Sequence, residues 1–192
     1  SLVESPMKET HKAVLKLAKK NHAIISFDPN IRLPLWSSAE ACQETVREFL
    51  PDADLVKLSD EECFFVTGKH SILDAADWLF EQGCKMVLYS MGKEGAMILT
   101  PHFSSHVENP EVRVKDTTGA GDAIIGAYLY CLAKNHITVS QLADCLPEQV
   151  QEWLTFAVYY ANYSITKSGA IASYPDYTTF VKWMQEKRKK AH

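Results

Sequence analysis

Short apolar segments alternate with helical patterns along this chain, and this alternation restricts its possible folds more than any other feature. Buried strands are predicted at 23–27, 55–58 and 85–90, with helical patterns between them. Strands that alternate with helices are typical of βαβ units, in which helices cover both faces of a largely parallel sheet. Ligands of such sheets bind at the carboxyl ends of the strands. The loops that follow the strands are therefore the first places to search for chemistry.

The remaining elements are predicted from caps and periodicity. Ser5 and Pro6 have the residue types of an N-cap and a first helical residue. Gly83 is typical of the residue that ends a helix. The predicted helices cover 6–20, 38–50, 73–82, 123–134, 147–165 and 177–190, and further strands are predicted at 96–100, 102–107 and 112–115.

The composition is that of a mildly acidic globular protein. The 192 residues include 20 Lys and Arg against 24 Asp and Glu, which gives a net charge of −4. This length predicts one domain. The acidic balance argues against nucleic acid as a partner, because phosphate backbones are bound by an excess of Lys and Arg. The basic run 187–190 is better explained as a solvated helix end than as a binding arm. No apolar run approaches the ~20 residues of a membrane span.

Cysteine and histidine spacing does not support a disulfide framework or a zinc site. The five cysteines are an odd number and no pair has C-x-x-C spacing, so we expect reduced, buried thiols in a cytoplasmic protein. The seven histidines form no H-E-x-x-H or H-x-H pattern. Residues 1–6 lack a signal-peptide pattern and look like the end of an apolar strand that runs into a helix cap. We therefore expect the chain to begin within a fold.

The segment D-T-T-G-A-G-D at 116–122 is the most informative part of the sequence. Its simplest interpretation is a tight turn that starts a helix. Gly119 and Gly121 allow a ligand to approach the backbone closely, and the N–H groups of a helix N-terminus bind anions. Asp122 is favourable in a first helical turn whatever its role. A carboxylate beside an anion-binding loop can also take the proton from an attacking hydroxyl, which is the general-base role in phosphoryl transfer.

This segment resembles the C-terminal signature of the ribokinase-like, or pfkB, carbohydrate kinases. F-D-P-N-I-R at 27–32, with Leu35 and Trp36 after it, is similar to the fructokinase branch. The resemblance extends over 1–173 and implies an α/β fold, the ribokinase-like three-layer α/β/α sandwich with a largely parallel central sheet. It implies that 1–192 is a single domain, the C-terminal nucleotide-binding and catalytic portion of a larger kinase domain. From the resemblance we expect the family's N-terminal part and lid to be missing, because its Gly-Gly sugar-binding segment does not occur here.

The resemblance implies catalytic roles within the signature. Asp122 matches the family's base, which deprotonates a sugar hydroxyl. Gly119, Ala120 and Gly121 match the anion hole, whose N–H groups stabilise the transferred γ-phosphoryl group. The chain has no G-x-x-x-x-G-K-[ST] loop, which excludes a Walker-type NTPase.

Two further motifs match nucleotide-binding segments of the family. Ser59 and Glu62 fall where the family has N-x-x-E, in which Glu organises water around Mg²⁺ and Asn approaches the phosphates. Ser in place of Asn weakens that phosphate contact, and the spacing fits a simple capping box equally well. Ser90, Gly92 and Gly95 resemble the family's T-x-G-x-x-G segment along the nucleotide phosphates, and an ordinary turn is the alternative.

The resemblance also implies a monovalent cation site, typically for K⁺. Its metal ligands would be oxygen atoms, several of them backbone carbonyls, of Asp116, Thr118, Ser164, Lys167, Gly169 and Ser173. From the residues alone, 166–170 is a helix C-cap with Gly169 in the left-handed conformation.

The segment 28–32 has two interpretations of equal weight. Asp28 and Asn30 either bond their own backbone in a turn, with Arg32 on the surface, or Arg32 reaches the phosphates or the sugar phosphate as a bidentate donor. The tyrosines at 159, 160 and 163 are expected to pack in the core rather than form an adenine site. Val158 and Asn162 are weaker candidates for adenine contacts.

The function implied is an ATP-dependent sugar kinase, most specifically a fructokinase that converts D-fructose and ATP to D-fructose 6-phosphate and ADP. It would use ATP and Mg²⁺, with K⁺ as a further candidate, and the full-length protein would be a candidate homodimer. Another sugar or nucleoside kinase of the family, such as a ribokinase or a 2-keto-3-deoxygluconate kinase, is the alternative, and a non-catalytic scaffold is a second. We expect no sugar phosphorylation by these residues alone, because the sugar-selecting segment is missing.

Overall fold

The computed structural model describes residues 2–3 and 6–190. Five strands lie in one sheet in the order β1-β2-β3-β4-β5. β1 pairs in parallel with β2, and β2 pairs in parallel with β3. The strands are β1 Ser26–Phe27, β2 Leu55–Ser59, β3 Met86–Ser90, β4 Ala96–Leu99 and β5 Ser104–Val107. These parallel pairs confirm the α/β prediction.

The six predicted helices are found in the predicted order, and a further helix follows the predicted N-cap Ser59. Two more serines, which were not predicted as caps, also begin helices. Ser38 accepts a hydrogen bond from the Ala41 N–H, and Ser71 accepts one from the Asp74 N–H, which satisfies N–H groups that the helix itself cannot. The helices are α1 Pro6–Lys20, α2 Ala39–Phe49, α3 Asp60–Thr67, α4 Ile72–Glu81, α5 Ala120–Lys134, α6 Pro147–Ser164 and α7 Tyr177–Lys190. Short 3₁₀ segments lie at Leu33–Leu35, Leu50–Asp52, Gly92–Glu94, Val139–Asp144 and Ile171–Ser173.

The chain divides into two compact units. The first comprises Ser1–Ser90, Ile98–Ser104 and Ile137–Cys145. Its core includes β2, where Leu55, Val56 and Leu58 are fully buried, as expected for a parallel strand covered on both faces. Lys57 lies in the same strand and is also buried, so its charge needs a partner.

The second unit comprises Met91–Met97, Ser105–His136 and Leu146–His192. Its core contains the buried face of α5 against α6, where the rings of Tyr128 and Trp153 meet edge to face at 6.5 Å. Buried Tyr163 and Phe180 form an aromatic cluster in which Tyr159 and Tyr160 also pack. The prediction that the three tyrosines of α6 pack in the core is confirmed.

Several predicted boundaries differ from the structure. Residues 112–115 form no strand, and Val114 is exposed, so its apolar alternation does not mark a buried sheet face. α5 begins at Ala120 rather than at 123, because Gly119 adopts a left-handed conformation and serves as its N-cap. Leu2 and Val3 are not in a strand, and the predicted N-cap Ser5 lies outside the described residues.

All five cysteines are free and buried, as predicted. Burial disfavours the thiolate and raises the pKa of Cys84 to about 11 and that of Cys131 to about 12. Within residues 2–3 and 6–190, no helix is long and apolar enough to cross a membrane.

Candidate active site

Asp122 lies exposed in the first turn of α5, shortly after the left-handed Gly119. No side chain caps this helix start within the described residues. The Ala120 N–H, which was predicted to belong to the anion hole, instead donates to the Thr117 carbonyl at 3.1 Å. The N–H groups of Gly119, Gly121 and Asp122 have no acceptor in the described part of the chain. The positive end of the helix is therefore open to an anion beside a carboxylate.

Gly119 is required here by both conformation and space. Its φ is 79°, and a Cβ built on it would lie 2.8 Å from the Tyr174 hydroxyl oxygen and 2.9 Å from Ala170 Cβ. The Tyr174 hydroxyl donates to the Gly119 carbonyl at 2.9 Å, so it fixes the residue that starts α5. Burial, the negative charge of Asp122 and nearby Tyr160 raise the pKa of Tyr174 above its usual value.

We expect Gly119→Ala to lower the free energy of unfolding by about 2 kcal/mol, since it adds close contacts to left-handed strain. Gly68→Ala is the matched control. Gly68 has a φ of 74°, and a Cβ added to it would have no atom within 4 Å. The control should lose only about 1 kcal/mol. Urea denaturation measures both values, and equal losses would show that contact with Tyr174 is unimportant.

Asp116 ties the signature loop to the loop that follows α6. Its Oδ1 accepts the Thr118 N–H at 2.9 Å, and its Oδ2 accepts the Gly169 N–H at 2.9 Å. The bond from Gly169 and those from Thr118 lower the pKa of Asp116 to about 2. A lowered carboxyl pKa means that these bonds are intact at neutral pH and are lost as the pH falls towards 2.

Of the predicted cation ligands, Thr118 and Gly169 are hydrogen-bonded to Asp116, and the others make hydrogen bonds within their own segments. The Ser164 carbonyl accepts the Lys167 N–H at 3.1 Å, and the Ser164 hydroxyl donates to the Ala161 carbonyl. The Ser173 hydroxyl donates to the Ala170 carbonyl. Gly169 has the predicted left-handed conformation, with a φ of 86°. A site of mixed carboxylate and carbonyl oxygens suits a hard cation, and Asp116 with its neighbours has that chemistry.

A second polar cluster, within the first compact unit, surrounds Lys57. Its ammonium group lies 3.3 Å from an Asp28 carboxylate oxygen and 3.7 Å from Glu62 Oε2. Glu62 Oε1 accepts the Ile31 N–H at 2.9 Å, and Oε2 accepts the Ser59 N–H at 3.0 Å. The Ser59 hydroxyl accepts the Glu62 N–H at 3.4 Å, so the capping box is formed.

The two carboxylates of this cluster have opposite pKa shifts. Burial raises the pKa of Asp28, and the attraction of Lys57 only partly offsets it. Burial also acts to raise the pKa of Glu62, but the Ile31 N–H, Lys57 and Ser59 together bring it below its usual value. Glu62 is therefore ionised at neutral pH.

The arrangement of Glu62 fits water-mediated rather than direct binding of Mg²⁺. Oε1 accepts one N–H and keeps a further lone pair, which a metal-bound water could use, whereas Oε2 accepts one N–H and also faces the Lys57 ammonium group. Among the described residues, no three His, Cys, Asp or Glu side chains form a metal-binding group. Mg²⁺ commonly keeps several waters and binds through substrate phosphates, so Glu62 fits the role predicted for it.

The segment after β1 forms the predicted turn. The Asn30 N–H donates to Asp28 Oδ1 at 3.2 Å, and Asn30 has a φ of 45°. Arg32 is exposed, and its guanidinium donates to the Ile31 carbonyl. The turn interpretation is thus confirmed for the Asp28 side chain, while the substrate or phosphate roles of Arg32, Asp28 and Asn30 stay predictions.

The nucleotide-binding candidates lie at or just after the carboxyl ends of two neighbouring strands. Ser59 of β2 and Ser90 of β3 are register partners, so they sit side by side at the carboxyl ends of parallel strands. The Ser90 hydroxyl donates to the Leu58 carbonyl at 3.4 Å. Gly92 and Gly95 have φ values of 52° and 99°, and the tight turn between them requires this conformational freedom.

A cavity of about 310 Å³ opens beside Asp122. Gly126 of α5 and the aromatic rings of Tyr130, Phe156 and Tyr177 contribute to its walls. Because these walls are mainly apolar, Asp122 lies at the border between solvent and a poorly hydrated surface.

The sequence analysis did not predict two residues that take part in these clusters. Lys57 is a single charged residue inside an otherwise apolar strand, and that position was a usable signal of a buried ion pair. Tyr174 had no such signal, because its partner Gly119 is 55 positions away.

Comparisons with known proteins agree on one family. The family model described as pfkB family carbohydrate kinase matches residues 1–177. The probable fructokinase-5 of Arabidopsis thaliana is 35% identical over 190 residues, which cover 98% of this chain and 57% of that protein. The chain spans about half the length of the curated relatives it matches.

Solved structures give the same result for the fold. A fructokinase double mutant from Vibrio cholerae O395, with fructose, ADP and potassium ion bound, superposes with a TM-score of 0.83 at 29% identity. That superposition covers 95% of this chain and 57% of the other. The fructokinase from Xylella fastidiosa with bound ATP has a TM-score of 0.86 at 27% identity, over 94% of this chain and 57% of the other. The predicted ribokinase-like sandwich is confirmed.

Proposed function

The chain belongs to the pfkB family of carbohydrate kinases, and on this premise we propose that it is the nucleotide-binding and catalytic part of an ATP-dependent fructokinase. The observation that carries the proposal is the position of Asp122, exposed in the first turn of α5 beside N–H groups that have no acceptor in the described chain. An acceptor for a proton and donors for a phosphoryl group therefore lie next to each other.

In the proposed reaction, a hydroxyl of the sugar attacks the γ-phosphorus of ATP in line with the leaving group. Asp122 accepts the hydroxyl proton as the new oxygen–phosphorus bond forms. The bond between the γ-phosphorus and the bridging oxygen breaks, and ADP leaves. The free amides of Gly119, Gly121 and Asp122 stabilise the charge on the transferred group, which is the main contribution a protein makes to phosphoryl transfer.

The remaining site residues have supporting roles in this proposal. Glu62 would hold water on Mg²⁺, which supplies charge neutralisation for the phosphates when it is bound. Ser59, Ser90 and Arg32 would contact the nucleotide or sugar phosphate. Asp116 would order the signature loop, alone or with K⁺. Localisation in the cytoplasm and homodimerisation of the longer protein belong to the same proposal.

Fructose is favoured as the acceptor because the relatives are named fructokinases and one solved relative holds fructose. That relative is only 29% identical to this chain, so other sugars and nucleosides are the alternative acceptors. A non-catalytic scaffold is disfavoured physically, since the exposed Asp122 would serve no purpose beyond about 1 kcal/mol of helix stabilisation.

Two measurements test the proposal. In titration calorimetry, ADP should bind to the 192-residue chain. In a separate assay, the same chain mixed with ATP and sugar should release no ADP. In a form extended to the length of its relatives, fructose should release ADP faster than ribose, 2-keto-3-deoxygluconate or adenosine. If none of these acceptors causes ADP release, the kinase assignment is overturned. If another acceptor gives a faster rate than fructose, the assignment of fructose as the substrate is overturned.

A further inference from the structure

The turn after β3 is held by side chains from the segment 106–109. Asn109 Nδ2 donates to the Gly92 carbonyl at 2.8 Å and to the Lys93 carbonyl at 3.1 Å. His106 Nε2 lies 3.0 Å from the Glu94 carbonyl oxygen. Three consecutive carbonyl groups of the turn are thus bound on one side.

Asn109 is itself held by a buried residue of α6. Its Oδ1 accepts from Asn162 Nδ2 at 2.8 Å, and the same nitrogen donates to the Val158 carbonyl at 2.8 Å. Asn162 is only 4% exposed. Because Asn162 presents a donor to Asn109 Oδ1, the Nδ2 group of Asn109 must face the carbonyls of the turn.

This arrangement determines which way the amides of the turn point. A trans peptide is planar, and its N–H is directed opposite to its carbonyl. Holding the carbonyls of Gly92 and Glu94 therefore directs the N–H groups of Lys93 and Gly95 to the opposite side. The Glu94 N–H between them donates to the Met91 carbonyl at 3.0 Å, so the N–H groups of Lys93 and Gly95 are the two that can face an anion. The backbone of Val107 lies so close that a Cβ on Gly95 would be 2.0 Å from its oxygen.

We propose that Asn109 is a positioning residue for nucleotide binding, which holds the turn so that its N–H groups face the phosphates. This inference rests on the proposed kinase function and deepens it. Asn109 touches neither nucleotide nor sugar in this role. It acts through Gly92 and Lys93, and Asn162 fixes its orientation.

Asn109→Asp is the sharpest test. The variant keeps the size of the side chain and the oxygen that Asn162 binds, but it replaces the Nδ2 donor with an oxygen that faces two carbonyls. ADP and adenosine are titrated into the 192-residue chain. We expect ADP to bind about ten-fold more weakly and adenosine to change by less than about two-fold, since only ADP has phosphates. Equal weakening of both ligands, or no weakening, would overturn the inference.

Asn135→Asp is the matched control. Asn135 Nδ2 also donates to a backbone carbonyl, that of Cys131 at 2.8 Å, but at the far end of α5. The Asn135→Asp variant should bind ADP with the same affinity as the unchanged chain. If Asn109→Asp does not fold, Asn109→Ala, which adds no charge, gives the same comparison.

The outcomes separate this inference from the function on which it rests. An unchanged chain that binds neither ADP nor adenosine would overturn the nucleotide site and the inference with it. An unchanged chain that binds ADP, with an Asn109 variant of equal affinity, would overturn the inference alone.

Discussion

Asp122→Asn should lower kcat by about 10²- to 10⁴-fold in a form of the protein that phosphorylates sugar, with little change in the affinity for ADP. Asparagine has nearly the same shape as aspartate, but it cannot accept the proton of the attacking hydroxyl. The N–H groups at the start of α5 belong to the backbone and are unaffected. Steady-state kinetics with titration of ADP separate the two effects, and a variant with near-normal kcat would exclude Asp122 as the base.

Asp74→Asn is the matched control for this prediction. Asp74 is also the third residue of a helix, α4, and is also exposed. Replacement of either aspartate removes a favourable interaction with a helix dipole, worth about 0.3–1 kcal/mol. Both variants should therefore lose similar stability, but only Asp122→Asn should lose turnover.

Lys57→Met should lower the free energy of unfolding by about 3–5 kcal/mol, because it leaves Asp28 and Glu62 without their buried counter-charge. Methionine keeps most of the length and apolar volume of lysine, so the loss comes mainly from charge. Lys57 is only 6% exposed, which prevents water from replacing the lost interaction. Urea denaturation at neutral pH measures the loss.

Lys85→Met provides the comparison with a more exposed lysine. Lys85 Nζ lies 2.6 Å from Asp54 Oδ1, and 34% of the Lys85 side chain is exposed against 8% for Lys57. Water can replace part of this interaction, so the loss should be smaller, about 1–2 kcal/mol. In Lys57→Met the uncompensated carboxylates should have raised pKa values, so protonation at about pH 5 should reduce the loss of stability relative to neutral pH. A loss equal to that of Lys85→Met would show that Lys57 does not balance these carboxylates.

Local sequence signals predicted the elements whose stability depends on near neighbours. Ser59 was predicted as an N-cap, and it forms the expected capping box with Glu62. Ser38 lies at the predicted start of α2 and caps it, whereas the cap at Ser71 was not predicted. The signature loop was also recognisable, since Gly119 and Asp122 lie within one short segment. In contrast, the apolar alternation at 112–115 predicted a strand that needs a distant partner, and the structure provides none for it among the described residues.

The contacts that orient the candidate site were beyond local inference. Asp116 meets Gly169 across 53 positions, and Asn109 meets Asn162 across 53 positions. Polar residues in loops are common, and nothing in their spacing distinguishes such pairs from solvated side chains. The ion pair of Lys57 could have been predicted from the sequence, because a lysine within an apolar parallel strand requires a nearby carboxylate.

The five buried thiols give the molecule built-in reporters of local opening. A thiol reacts with an alkylating reagent only as thiolate and only when exposed, and here both burial and raised pKa values oppose the reaction. The thiols occupy separate places in the fold: Cys42 in α2, Cys63 in α3, Cys84 before β3, Cys131 in α5 and Cys145 after the last turn of the segment Val139–Asp144. Mass-spectrometric labelling rates at each cysteine would therefore rank the segments by their free energy of opening, without any substitution in the chain.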